Sequence, residues 1–261
     1  MSKPTEIDEE PPVVPADGSL PLDRPWLWME RGWADFKRAP AIGLLYGMGF
    51  VGASWTLVTL LAIVGDIHML LPLTGGFFIL APLLVAGLYE TSRRLELGRT
   101  ATVGGAFLAW RAPGQLALMG VVLLLIHLVW VRIALLLYPL FFHARAPTWE
   151  TLIPQLLGTP TGIGLLITGG LIGGALAVLS FCVSAVSIPM LVDRDVSFAE
   201  AIVASLKVVA RHPRTMLFWG AVIVVFTAMG LATMFFGLAL VIPVVGHATW
   251  HAYRDTVPPA G

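Results

Sequence analysis

The stretch WADFKRAPAIGLLYG at residues 33–47 decides the fold. It is a short amphipathic run with a basic end, then a proline, then the start of a long apolar segment. The same grammar returns as AFLAWRAPGQLALMG at 106–120 and as LKVVARHPRTMLFWG at 206–220. An arginine stands two residues before each proline (Arg38, Arg111, Arg211) and a glycine seven residues after it (Gly47, Gly120, Gly220). The chain therefore reads as three copies of one unit. A helix turning from the membrane plane into the membrane needs a corner. Pro40, Pro113 and Pro213 supply it, because proline ends a hydrogen-bond ladder yet fits the first turn of the next helix.

Composition agrees. Of 261 residues, 57% are hydrophobic and 12% charged, against about 25% charged in soluble domains. The charges lie mostly outside a few long apolar runs, the pattern of a polytopic membrane protein. A net charge of zero argues against nucleic acid as a partner. The single cysteine, Cys182, lies in an apolar run and has no second thiol to pair with. Residues 1–25 are polar, acidic and proline-rich, so they read as a disordered cytoplasmic tail and not as a cleavable signal peptide. A second short tail is expected at 257–261.

The fold class expected is all-α, a polytopic membrane bundle with six spans. Each of three repeats, about 26–94, 99–195 and 196–256, is an amphipathic interfacial helix followed by a transmembrane hairpin. The spans are expected at 40–64, 69–90, 114–142, 161–192, 214–232 and 235–253, each near the roughly 20 residues a bilayer core requires. The interfacial helices are expected at 26–39, 99–111 and 197–211. On the first, Trp26, Met29, Trp33 and Phe36 form the apolar face, with Glu30, Arg31, Asp35, Lys37 and Arg38 opposite. Such a helix suits the membrane interface, and it equally suits docking on the protein's own bundle. On the third, Phe198, Ile202, Ser205, Leu206 and Val209 form the face, and Ser197-Phe-Ala-Glu200 is a capping box.

Topology follows from the basic residues. Fourteen of the 16 Lys and Arg fall on one side of this arrangement, the exceptions being Arg132 and Arg145. Positive-inside reasoning puts both termini and the interfacial helices in the cytoplasm, with the spans in a bacterial inner membrane.

Few residues stand out chemically. Arg132 is a full charge within an apolar run, which makes it an ion-site candidate. It also lies nineteen residues after Pro113, so it is expected to snorkel at the outer interface with Trp130 beside it. Residues 133–142 would then extend past the membrane or fold along its surface. His247 and His251 sit four apart on one helical face, where two imidazoles can hold a metal or bracket a haem. Glu90 ends its span where His251 ends another, and could converge with them. The bland alternative is a polar cluster at the membrane boundary. Gly170, Gly173, Ala177, Ser180, Ser184 and Ser187 make one face of a span small, for close packing or for lining a pore. No familiar catalytic motif is present, so no enzyme activity is expected.

The stretches RPWLWMERGW (24–33), GLYETSRRLE (87–96), DRDV (193–196) and GHATWHAYRD (246–255) resemble an uncharacterised family of bacterial integral membrane proteins. Some of its members are labelled cytochrome c oxidase subunits. A haem–copper catalytic subunit has more spans and several separate metal histidines. What the label implies is therefore association with a respiratory complex and not catalysis. Three functions follow: a membrane scaffold or accessory subunit; a small-solute, lipid or ion transporter; or a haem- or metal-binding protein.

Overall fold

The computed structural model describes residues 20–108, 113–142 and 149–258, and every element among them is helical. The first, α1 (Arg24–Arg38), begins inside the expected tail, because Pro25 suits the first turn of a helix. It ends at Ala39, and α2 (Pro40–Val64) starts at once on Pro40. A 3-10 turn (Ile67–Met69) leads to α3 (Leu70–Leu84) and α4 (Ala86–Glu96). The expected second span is thus two helices broken at Val85, three residues past Pro82. Next come α5 (Val103–Leu108) and α6 (Pro113–Phe141). The rest of the second interfacial helix, including Arg111, lies outside the described residues, as does Arg145.

Helix α6 runs unbroken through 133–141, so this stretch continues the span and does not fold back. The connection after it contains a helix the sequence reading lacked, α7 (Trp149–Gly158). Its Leu152 and Leu156 pack with Leu61, Ile67 and Met69, capping that end of the bundle. Then follow α8 (Pro160–Ser184) and α9 (Ser187–Asp193), α10 (Phe198–Arg211), α11 (Pro213–Ala232) and α12 (Leu238–Thr256). The capping box of α10 is present in both directions. Its buried face is Ala201, Ser205 and Val209, and Leu206 points outward.

Five stretches are long and apolar enough to cross a bilayer: 40–64, 67–96, 113–141, 160–193 and 213–232. The protein is a polytopic helical bundle. Helix α12 is not among the five, because its second half carries His247, His251, Arg254 and Asp255. That half is buried by the protein itself, with His247, Ala248, Trp250 and Tyr253 all fully enclosed. A helix sheathed by its neighbours need not be lipophilic.

The glycine seven residues past each corner proline faces the second helix of another unit. At Gly47 a Cβ would overlap the carbonyl of Ala239 in α12. At Gly120 it would stand 2.8 Å from Leu83 in α3, and at Gly220 3.8 Å from Phe181 in α8. Small residues let membrane helices approach closely. The facings α2–α12, α6–α3 and α11–α8 make a ring, tightly packed at the first two and wider at the third.

Candidate functional site

Helix α1 docks on α12 along a stripe that shares Phe36 with the expected apolar face but leaves Trp26 and Trp33 outside. Its buried residues are Pro25, Trp28, Gly32, Asp35 and Phe36, while Trp26 and Trp33 stay 51% and 43% exposed. Asp35, expected on the polar face, is 5% exposed. Gly32 is the cause. A Cβ there would lie 2.6 Å from backbone atoms of Val244 and Ala248, so α1 and α12 touch backbone to backbone. The exposed Trp26 packs edge-on against Phe218 and Trp33 stacks on Phe36, leaving an aromatic rim suited to an interface. Helix α1 thus docks on the bundle and keeps two tryptophans on its outer side.

This contact gathers the charges of one end into a network. Asp255 accepts from the Trp28 indole at 2.8 Å and pairs with Arg31 at 3.3 Å and Arg24 at 3.6 Å. Glu96 accepts from the Trp250 indole at 3.0 Å and pairs with Arg254 at 2.9 Å. The Tyr253 hydroxyl donates to Asp193 at 2.8 Å. Four helices, α1, α4, α9 and α12, are tied together by side chains from opposite ends of the chain.

The histidine pair does not act as one. His251 Nε2 meets Asp35 Oδ2 at 2.9 Å, whereas His247 Nδ1 meets Ser92 Oγ at 2.8 Å. Burial raises the affinity of Asp35 for its proton. The hydrogen bond and charge of His251, with Ser92 and His247, more than offset this and hold the carboxyl below its ordinary value. Glu90 is fully buried, and both its oxygens serve Arg93 (2.7 and 3.0 Å) and Arg94 (2.7 Å). A buried charge is tolerated only when paired and hydrogen-bonded, and here the partners come one turn along the same helix. Among the described residues no three His, Cys, Asp or Glu side chains are grouped to hold a metal.

The remaining candidates divide. Arg132 is exposed on α6, about 28 Å along it from Pro113 at 1.5 Å per residue. Trp130 turns inward instead. Its indole donates to the Pro72 carbonyl at 2.6 Å, and its ring fills the space over Gly173. The small stripe also splits. Ser180, Ser184 and Ser187 are buried, whereas Gly170 and Ala177 are exposed. Gly170 and Gly173 line an apolar cleft of about 320 Å³ with His68, Trp130 and Tyr138. Reading residues by type missed Trp28, Asp35 and Asp255. The signal available was the i, i+4, i+7 spacing of Trp28, Gly32 and Asp35, a stripe centred on a glycine.

Helices of bilayer length around a sheathed central helix, with their charges satisfied at one end, define an integral membrane protein. Residues 70–193, from α3 through α9, match the model of a family described as a predicted integral membrane protein, DUF2189. The match takes in the stretch 87–96, its description agrees with the uncharacterised membrane family expected from the sequence, and it names no oxidase. No curated protein and no solved structure matches the chain.

Proposed function

We propose that the chain is a non-enzymatic scaffold or accessory subunit of a bacterial inner membrane, holding a partner such as a respiratory complex. The observation that carries this reading is the network at the charged end. Its carboxylates are engaged by arginine, tryptophan, tyrosine or histidine of other helices or of their own. Groups so committed serve architecture. A catalytic group needs a face free for substrate.

In this reading the chain crosses six times and both termini are cytoplasmic. Two observations support it. Arg24 and Asp255 pair at 3.6 Å, so the chain returns to the side it left, which requires an even number of crossings. The basic residues Arg31, Arg38, Arg93, Arg94, Arg194 and Arg254 gather at that same end, as cytoplasmic surfaces do.

The test is a gentle-detergent purification from native membranes followed by mass spectrometry. A membrane partner recovered in constant ratio supports the scaffold, and recovery of the chain alone at every detergent strength sinks it. The same preparation reads the haem or metal alternative. A haem absorbance band abolished by His247→Ala would move the assignment there.

A further inference from the structure

The three seams of the ring are not equal. Gly47 has Ala239 against it and Gly120 has Leu83, but Gly220 has only the Phe181 ring, at 3.8 Å. Between α8 and α11 the bundle stands apart as an apolar cleft of about 320 Å³. Tyr89, Ser184, Trp219 and Val245 bring residues of all three units to its wall. Val224, 64% exposed, and Ala228, also exposed, form its rim on the apolar outer surface of α11. The cleft therefore opens sideways into the bilayer.

Its length and chemistry select an occupant. Trp219 and Leu231, both in the wall, stand six and eighteen residues past Pro213. At 1.5 Å per residue they are about 9 and 27 Å along α11. The cleft thus runs lengthwise for about 18 Å of a hydrocarbon core about 30 Å thick. At the end nearer the charged network, Trp219 is fully buried with its ring edge-on to Trp28, and its indole Nε1 has no hydrogen-bond partner. An indole N–H can only donate, so what completes it must be an acceptor. The volume is at the small end of ligand pockets, roughly 300–1,000 Å³, which suits one chain and not a whole two-chain lipid.

We propose that the cleft between α8 and α11 takes one lipid acyl chain sideways from the bilayer. The carbonyl oxygen of the chain accepts from Trp219 Nε1, and its methylenes lie along α11 toward Leu231. A free fatty acid, through its carboxyl oxygen, and a phospholipid, through its ester carbonyl oxygen, each offer an acceptor at the head of the same kind of chain.

The full-length protein in lipid nanodiscs is photolabelled with a diazirine fatty acid and, separately, with a diazirine phosphatidylcholine. Labelled peptides are mapped by mass spectrometry. Labelling of residues 181–185 and 219–231 by either probe supports the proposal. In support, too, Ala228→Trp at the rim abolishes that labelling, and Trp219→Phe, which keeps the ring against Trp28, raises the half-labelling concentration about tenfold, the loss of one hydrogen bond. Thermal unfolding of both variants is measured alongside to show that they fold. Labelling spread evenly around the bundle, labelling unchanged by Ala228→Trp, or an unchanged half-labelling concentration in folded Trp219→Phe overturns it.

Discussion

The α2–α12 seam and the α8–α11 seam are built from the same grammar, proline followed seven residues later by glycine, and they end differently. At the first the helices touch backbone to backbone. At the second a cleft of about 320 Å³ separates them. The difference lies in the facing residue. Ala239 lets Gly47 reach a carbonyl, whereas the ring of Phe181 stands over Gly220. Within a bilayer, where lipid is as apolar as leucine, small residues at the interface let helices approach closely. A glycine on one side only permits it. The closed side also carries the charge network, since α1, α4 and α12 meet there.

If the closed side depends on paired buried charge, Glu90→Ala is the most damaging substitution. It strands Arg93, itself 8% exposed, and should cost about 3–5 kcal/mol. Thermal unfolding in mild detergent reads this, and a loss under about 1 kcal/mol would break the contrast between the two sides. Gly47→Val comes next. Its side chain has nowhere to go against Ala239, so overpacking should cost about 1–3 kcal/mol in the same assay.

Acid should act on the closed side through Asp35. Its carboxyl titrates below the ordinary 3.8 in the folded protein, so it binds protons less readily than in the unfolded chain. Its stabilisation is therefore complete above that value and fades as pH falls through the folded-state value. Asp35→Asn should lower stability by about 1.5 kcal/mol near neutrality. The two unfolding profiles should converge only below about pH 4. A constant gap down to the lowest pH would remove Asp35 from the network.

Gly220→Ala is the smallest effect and the sharpest contrast. With only Phe181 at 3.8 Å there is room for a methyl, and alanine is the better helix former by up to about 1 kcal/mol. The open seam should be unchanged or slightly stabilised by the substitution that the closed seam rejects. Equal losses at both glycines would make the seams alike.

Much of the fold was legible because its cues are local. The ends of α2 follow from Pro40 and Gly65, and α10 announces itself through Ser197 and Glu200. The site was less legible. Helix α1 has aromatic residues on two sides, so periodicity alone could not say whether Trp26 and Trp33 or Trp28 would be buried. Gly32 decided it by admitting α12, and with that choice Asp35 moved from the polar face into the interior. Helix α7 was missed because its ten residues, with Pro154 inside, lie in what the hydropathy pattern presents as a connection. The polar second half of α12 shows the limit of composition. Its polar residues are acceptable because protein surrounds it, and composition carries no record of neighbours.

By itself the sequence determined the helical membrane class, the corners at Pro40 and Pro213 and the gathering of basic residues between particular segments. Each of these is a demand the bilayer makes on one segment at a time: backbone hydrogen bonds satisfied within it, length matched to the core, and charge kept outside. Only the tertiary structure decided that Asp255 meets Trp28, that His247 and His251 take separate partners, and that one seam of three stays open. Those outcomes depend on pairs of facing residues far apart in the chain, such as Gly47 with Ala239 and Gly220 with Phe181. The size of one member says nothing until the fold supplies the other.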